Sequence, residues 1–343
     1  MPSSLFVQQN ASLKPFNTFG IEANARYFAN IHHTEELLTV LSQNIFHDMP
    51  KLILGEGSNV LFTQNYPGLV IKNSIKGVQK IAEDRKHVWL KVGAGENWHD
   101  FVMFCISEGY SGIENLSLIP GTIGAAPIQN IGAYGVELCD VFSELEAWDL
   151  LNNEIRIFKR EDCQFAYRES IFKHLYKNRF SILSVSFCLH KQPEFHIEYG
   201  DIRKTLEIMQ VKDLSVKAIS DAVIHIRRSK LPDPKELGNA GSFFKNPFVS
   251  PDHFTQLQKT FPNIPSFPAE NTDLIKIPAG WLIEQCGWKG KRFGDVGVYE
   301  KQALILVNYH AGKGSAILEL AQNIQKSVQE KFSVELVPEV RVC

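Results

Sequence analysis

The sequence predicts an α+β protein of two or three domains, and three observations carry that reading. At 343 residues the chain is too long for one small core. Short β-branched and aliphatic runs alternate with stretches whose apolar positions recur at helical spacing. Glycine-rich loops follow several of the strand-like runs, where a chain leaving a sheet must turn closely.

Composition narrows the class. The chain is 44% hydrophobic and 22% charged with a net charge of -2, a soluble globular profile without a basic field for nucleic acid or anionic membrane. No apolar run reaches the ~18 to 20 residues that span a bilayer. Met1–Phe6 lacks a basic region followed by an apolar run, so no secretory signal is read and a cytoplasmic protein is expected. Six cysteines at 105, 139, 163, 188, 286 and 343 show neither Cys-x-x-Cys spacing nor a histidine cluster. A reduced protein without structural metal follows.

In chain order, Thr34 is placed to cap a helix bearing Leu37, Leu38, Leu41 and Ile45. The strand Leu52-Ile53-Leu54 runs into Gly55-Glu56-Gly57-Ser58-Asn59, and Leu69-Val70-Ile71 reads as the next strand. A glycine loop after a strand suits phosphate, but the third glycine of a dinucleotide fingerprint is replaced by Val60. Val88–Val92 is a strand ending in Gly93-Ala94-Gly95, and Asn97 caps a helix whose Trp98, Phe101, Val102 and Cys105 form a core stripe.

The run from Ile119 to Gly135 holds four glycines and three alanines, with polar side chains limited to Thr122, Gln129, Asn130 and Tyr134. So few bulky groups imply backbone lying against a large ligand. A hairpin follows around Asn152-Asn153, then Tyr167-Arg168, whose phenol and guanidinium suit a carboxylate or an enolate. A strand from Ser181 to Leu189 and an exposed turn at Glu198-Tyr199-Gly200-Asp201 come next.

Ser215 caps a helix extended by Arg227-Arg228-Ser229-Lys230, cations that complement its dipole or meet phosphates. Gly238–Pro247 then sets a hydroxyl, an ammonium and two carboxamides on a glycine-loosened backbone beside Phe243 and Phe244. Pro278 starts a helix that Gly287 ends. Ala303–Val307 is a strand, a helix carries Ile317, Leu320, Ala321, Ile324 and Val328 inward, and Val334–Val337 reads as a last strand before Pro338-Glu339-Val340-Arg341.

Together these motifs resemble the UDP-N-acetylenolpyruvoylglucosamine reductase family. The likeness is carried by Asn17-Thr18-Phe19-Gly20, Leu54–Asn59, Ile119–Ala125, Gln129–Gly135, Tyr167-Arg168, Gly241–Pro247 and Pro338–Arg341, in that order. The resemblance implies noncovalent FAD on a two-subdomain module of the vanillyl-alcohol-oxidase type, plus a separate α+β substrate-binding domain. The expected division is 1–76 with 335–343, then 77–228, then 229–334. NADPH is the implied electron donor, a UDP-sugar enolpyruvate the substrate, and a monomer the expected state. A flavin oxidase of the same module, or a noncatalytic nucleotide-sugar binder, is the alternative class.

By the same likeness Arg168, Ser242 and Glu339 are catalytic. Cofactor contacts are expected from Gly55, Glu56, Gly57, Ser58 and Asn59 in the first loop. The second stretch supplies Pro120, Gly121, Thr122, Gly124, Ala125, Gln129, Asn130, Gly132, Ala133, Tyr134 and Gly135. Tyr167, Lys230, Asn246, Lys289, Gln302 and Arg341 are expected at the substrate, and Tyr199 is the tyrosine that the longer subgroup folds over it. Two positions depart from the family pattern. Phe267 stands where a tyrosine often meets the diphosphate, and Glu56 stands where a small residue is usual, its carboxylate expected to turn away from the FAD phosphates.

Overall fold

The computed structural model describes residues 7–268 and 273–343, so the reading of Met1–Phe6 lies outside the described residues. The chain divides into two compact units, one of residues 1–11, 25–56 and 66–229 and the other of 12–24, 57–65 and 230–343.

Two larger sheets organise the first unit. In one, the strands run in the order Val7–Ser12, Asn24–Ile31, Tyr66–Asn73, Lys51–Leu54, and the last three are parallel. Leu69, Val70 and Ile71 are all fully buried, the continuous apolar run expected of a parallel strand covered on both faces. The helix Thr34–Leu41 packs Leu37 and Val40 against Ile31 and Ile71. Its cap is His33 rather than Thr34, and Glu36 reaches back to accept from the His32 amide at 2.7 Å. The carboxylate thus secures an amide just ahead of the helix, and no side chain at the His33 cap accepts from the helix's own first amides, so the expected threonine cap is not formed.

The second sheet is antiparallel, ordered Glu154–Lys159, Phe142–Asp149, Phe180–His190, His87–Gly93, Val78–Glu83. Asn97 caps the helix Trp98–Ser107 by accepting from the Asp100 amide. Trp98 and Phe101 stack edgewise and tilted on Phe187, so the aromatic stripe is core, as its spacing indicated. Asp149 organises the expected hairpin, taking the Leu151 amide at 2.9 Å and the Arg179 guanidinium at 2.7 Å. Helices Ile202–Ile208 and Val216–Lys230 form a smaller core around Ile202, Leu206, Ile219 and Val223, and Ser215 caps the longer one.

The second unit is built on a sheet ordered Gly238–Ser242, Ile305–Asn308, Val296–Val298, Arg292–Phe293. The helix Ala279–Gln285 begins after Pro278, and Gly287 follows it with φ +74°. Residues 334–337 do not form the expected strand. Val334 and Leu336 are buried, but Leu336 accepts from the Gln325 side chain, and Pro338, lacking an N–H, makes only an isolated bridge to Phe244. Extended pairing resumes at Arg341–Val342, parallel to Val60–Leu61. All six cysteines are free, and no helix among the described residues is long and apolar enough to cross a membrane.

Candidate active site

Each unit carries its own group of expected site residues. Gly55, Glu56, the 120–135 stretch, Tyr167, Arg168 and Tyr199 lie in the first; Gly57, Ser58, Asn59, Lys230, Ser242, Asn246, Lys289, Gln302, Glu339 and Arg341 lie in the second.

In the first unit the two glycine stretches lie against each other. A Cβ on Gly55 would fall 2.5 Å from Thr122 Oγ1, and one on Gly124 would fall 2.6 Å from the Ala94 Cβ. Part of the missing bulk is thus filled by protein, a reason for small residues that the sequence alone did not supply. Gly121 needs glycine for its φ of +114°. The Glu56 carboxylate is engaged by protein: Oε1 accepts from Asn97 Nδ2 at 2.7 Å and Oε2 from the Gly121 amide at 3.0 Å. The result is a double loop, backbone-rich and poor in bulky side chains, with no histidine or cysteine at 55–59 or 119–135 to tether a flavin. These residues fit noncovalent FAD, whose phosphates favour backbone amides at strand and helix ends.

Asn130 is fully buried and its side chain is committed to protein. Nδ2 donates to Glu137 Oε2 at 2.6 Å and to Ala166 O at 3.2 Å, while Oδ1 accepts from the Cys139 amide at 3.0 Å. This ties the glycine stretch to the turn Ala166–Glu169, in which Arg168 has φ +55°. A left-handed arginine is costly, about 1 kcal/mol or more, and the turn's paired amides hold it there. Arg168 Nη2 donates to Gly132 O, its guanidinium lies 5.3 Å from the Tyr167 ring, and its own carbonyl accepts from Lys173. A Cβ on Gly132 would sit 2.9 Å from Arg168 Nη1, so the glycine makes room for the cation.

Arg227 was left open in the sequence between helix-dipole partner and phosphate ligand. Its Nε donates to Leu118 O at 3.3 Å, and it faces the Tyr134 hydroxyl and Arg168. Burial lowers its pKa, Tyr134 opposes that effect and Arg168 adds to it, yet a guanidinium stays cationic. His99 also escaped sequence reading. Its Nδ1 accepts from the Leu118 amide at 3.0 Å, immediately before the second glycine stretch.

In the second unit, Asn239 Oδ1 accepts from the Gly241 amide and its Nδ2 donates to Leu237 O, shaping a bulge at Gly241 (φ +70°) that delivers Ser242. Ser242 pairs with Ile305, and Phe243 and Phe244, both buried, anchor the loop as expected. Across from them the Glu339 amide donates to Phe243 O at 2.8 Å, so Glu339 lies opposite the neighbour of Ser242. Asn59 secures this end of the chain, donating to Glu339 O and accepting from the Arg341 amide. The Asn17–Gly20 motif belongs here too: the Asn239 amide donates to Thr18 O, and a Cβ on Gly238 would fall 2.3 Å from Phe19 O.

Asn246 Oδ1 accepts from the Ala279 amide, so this carboxamide caps the helix Ala279–Gln285. Lys289 pairs with Glu284 at 3.0 Å, Gln302 Oε1 accepts from the Leu304 amide, and Lys230 ends its helix. Phe267 is 40% exposed. No group of three or more potential metal ligands occurs among the described residues.

Residues 233–343 match the family described as UDP-N-acetylenolpyruvoylglucosamine reductase, C-terminal domain, and residues 25–156 match an FAD binding domain. The chain is 52% identical to the UDP-N-acetylenolpyruvoylglucosamine reductase of Amoebophilus asiaticus, covering 98% of this chain and 99% of that one. It is 48% identical to the reductase of Flavobacterium johnsoniae, again over 98% and 99%. Among solved structures, the crystal structure of the Thermus caldophilus reductase aligns with a TM-score of 0.65 at 25% identity, covering 98% of this chain and 97% of that one. The glycine loops, the Tyr167-Arg168 turn and the Ser242 bulge thus lie within matches that run almost end to end, and the chain belongs to the UDP-N-acetylenolpyruvoylglucosamine reductase family.

Proposed function

We propose that this protein reduces UDP-N-acetylglucosamine enolpyruvate to UDP-N-acetylmuramate with NADPH, for peptidoglycan precursor synthesis. The observation that carries this reading is the match to a reductase of that name over 98% of the chain, at 52% identity. The tied glycine loops support noncovalent FAD, with 1–76 plus 335–343 and 77–228 as its subdomains and 229–334 as the substrate domain. When bound, FAD supplies the redox chemistry, taking reducing equivalents from NADPH and delivering them to the terminal vinyl carbon of the substrate.

That addition leaves negative charge on the carbon beside the substrate carboxylate, delocalised into it. Arg168 holds this dianionic enol-like species as a planar cation, and its anchorage to Gly132 supports a fixed orientation. Glu339 serves as a hydrogen-bond donor in its acid form. Ser242 Oγ donates the proton that completes the new C–H bond. A hydroxyl is a weak acid, but the dianion is a stronger base than an ordinary enolate, so the transfer runs downhill.

Tyr167, Tyr199, Lys230, Asn246, Lys289, Gln302 and Arg341 are assigned to the UDP-sugar. With Phe267 in place of a phenol, diphosphate affinity leans harder on Lys289. We assign the protein to the cytoplasm, as a monomer. The test is a visible spectrum of purified protein under anaerobic conditions. A flavin band should bleach with NADPH and return on adding the enolpyruvyl sugar, and acid precipitation should leave the yellow colour in the supernatant. No flavin band, or bleaching that the sugar does not reverse, would overturn the reading.

A further inference from the structure

Asn115 connects two parts of the first unit that the sequence treats separately. The strands Gly132–Ala133 and Val136–Glu137 pair around Tyr134 and Gly135, which have φ of +51° and +82°. A two-residue turn with positive φ at both centres suits glycine and penalises tyrosine, so the Tyr134 conformation needs an outside restraint. Asn115 is only 1% exposed, and its Nδ2 donates one proton to Tyr134 O at 2.9 Å and the other to His196 O at 2.8 Å. Its Oδ1 is buried without a hydrogen-bond partner. The carboxamide is therefore used as a double donor, bridging the turn to a carbonyl three residues before Tyr199.

The bridged elements also interlock. A Cβ on Gly135 would lie 3.2 Å from Tyr199 Cβ, and one on Gly200 would lie 3.5 Å from Tyr134 Cδ1. Tyr134 and Ile197 pack together on the small core of Ile202, Leu206, Ile219 and Val223. Tyr199 itself remains 45% exposed at the end of this segment.

We propose that Asn115 is a positioning residue for substrate binding: by clamping the carbonyls of Tyr134 and His196 it sets where Tyr199 stands. The proposal rests on the assignment of Tyr199 as the residue that covers the substrate. Asn115 touches no reacting atom and acts only through the two backbones it joins.

The test uses FAD-loaded protein carrying Asn115→Ala or the isosteric Asn115→Asp, which lacks both donors. Amide hydrogen exchange should accelerate about tenfold in peptides covering 193–200, while the strand Phe180–His190 keeps its protection. The KM for the enolpyruvyl sugar should rise about tenfold with kcat changed less than about twofold. Tyr199→Ala should raise the same KM, and adding Asn115→Ala to it should cost little more. Additive effects in the double variant, or exchange that accelerates equally across both regions, would overturn the proposal. Faster exchange at 193–200 with KM unchanged in both single variants would overturn it through the Tyr199 assignment. Absence of turnover in the parent protein would instead count against the reductase reading, which the exchange measurement does not depend on.

Discussion

Glu56 accepts a hydrogen bond from the backbone amide of Gly121 at 3.0 Å, fastening the first glycine loop to the second. Its other oxygen takes the side chain of Asn97, which itself caps the helix Trp98–Ser107. Glu56→Ala removes both contacts and should weaken FAD retention about tenfold, since charge-assisted hydrogen bonds contribute about 1.5–3 kcal/mol and these are only part-buried. Flavin release followed by fluorescence measures this. An unchanged dissociation constant would show that the two loops hold their spacing without the carboxylate.

Gly132→Ala should disturb Arg168 without touching its charge. The added methyl would sit 2.9 Å from Nη1 and 3.0 Å from both Glu137 Cγ and Val136 O, so the guanidinium or the short hairpin must shift. Misplacement of a charge-stabilising group by about 1 Å can cost on the order of 10²-fold. The loss should appear in reoxidation of reduced flavin by the enolpyruvyl sugar, measured on variant protein fully loaded with FAD. Reoxidation at the parent rate would remove Arg168 orientation from the account.

His99 gives the protein a pH-dependent element. Burial lowers its pKa, Asp100 opposes that, and Arg228 and Arg227 add to the lowering. An unfolded histidine protonates near pH 6.5, whereas the folded one resists until lower pH, so the unfolded state binds more protons within that window. Stability should therefore decline as pH falls below about 6.5, by at most about 1.4 kcal/mol per pH unit for one proton, and level off below the folded-state pKa. His99→Gln keeps an acceptor for the Leu118 amide and removes the titration. Urea midpoints compared at pH 7.5 and 5.5 should fall less in the variant than in the parent, and equal falls would assign the acid sensitivity to other groups.

Much of this architecture was legible because its signals are local. The apolar spacing in Trp98–Ser107 and Gly314–Phe332, the cap at Asn97, the Phe243-Phe244 anchor and the Asn152-Asn153 hairpin all depend on residues close in sequence. The extended stretch 334–337 misled because its alternating burial is that of a strand, while its hydrogen bonds go to Gln325 and Lys245 rather than to a ladder. At the candidate site the polar residues were visible but their partners were not. Asn246 Oδ1 takes the Ala279 amide, and Asn130 meets Glu137, Ala166 and Cys139, partners that the residue types alone do not name. Glu56, Asn115 and Arg227 work through residues from 19 to 109 positions away, which no local pattern encodes.

Ser242 as proton donor is the central claim, and stopped-flow with Ser242→Ala tests it most directly. The claim requires that NADPH still bleach the flavin at close to the parent rate, because that half-reaction needs no proton from Ser242. Reoxidation by UDP-N-acetylglucosamine enolpyruvate should slow by about 10² to 10⁴-fold or more. Equal slowing of both half-reactions, or reoxidation at the parent rate, would contradict it.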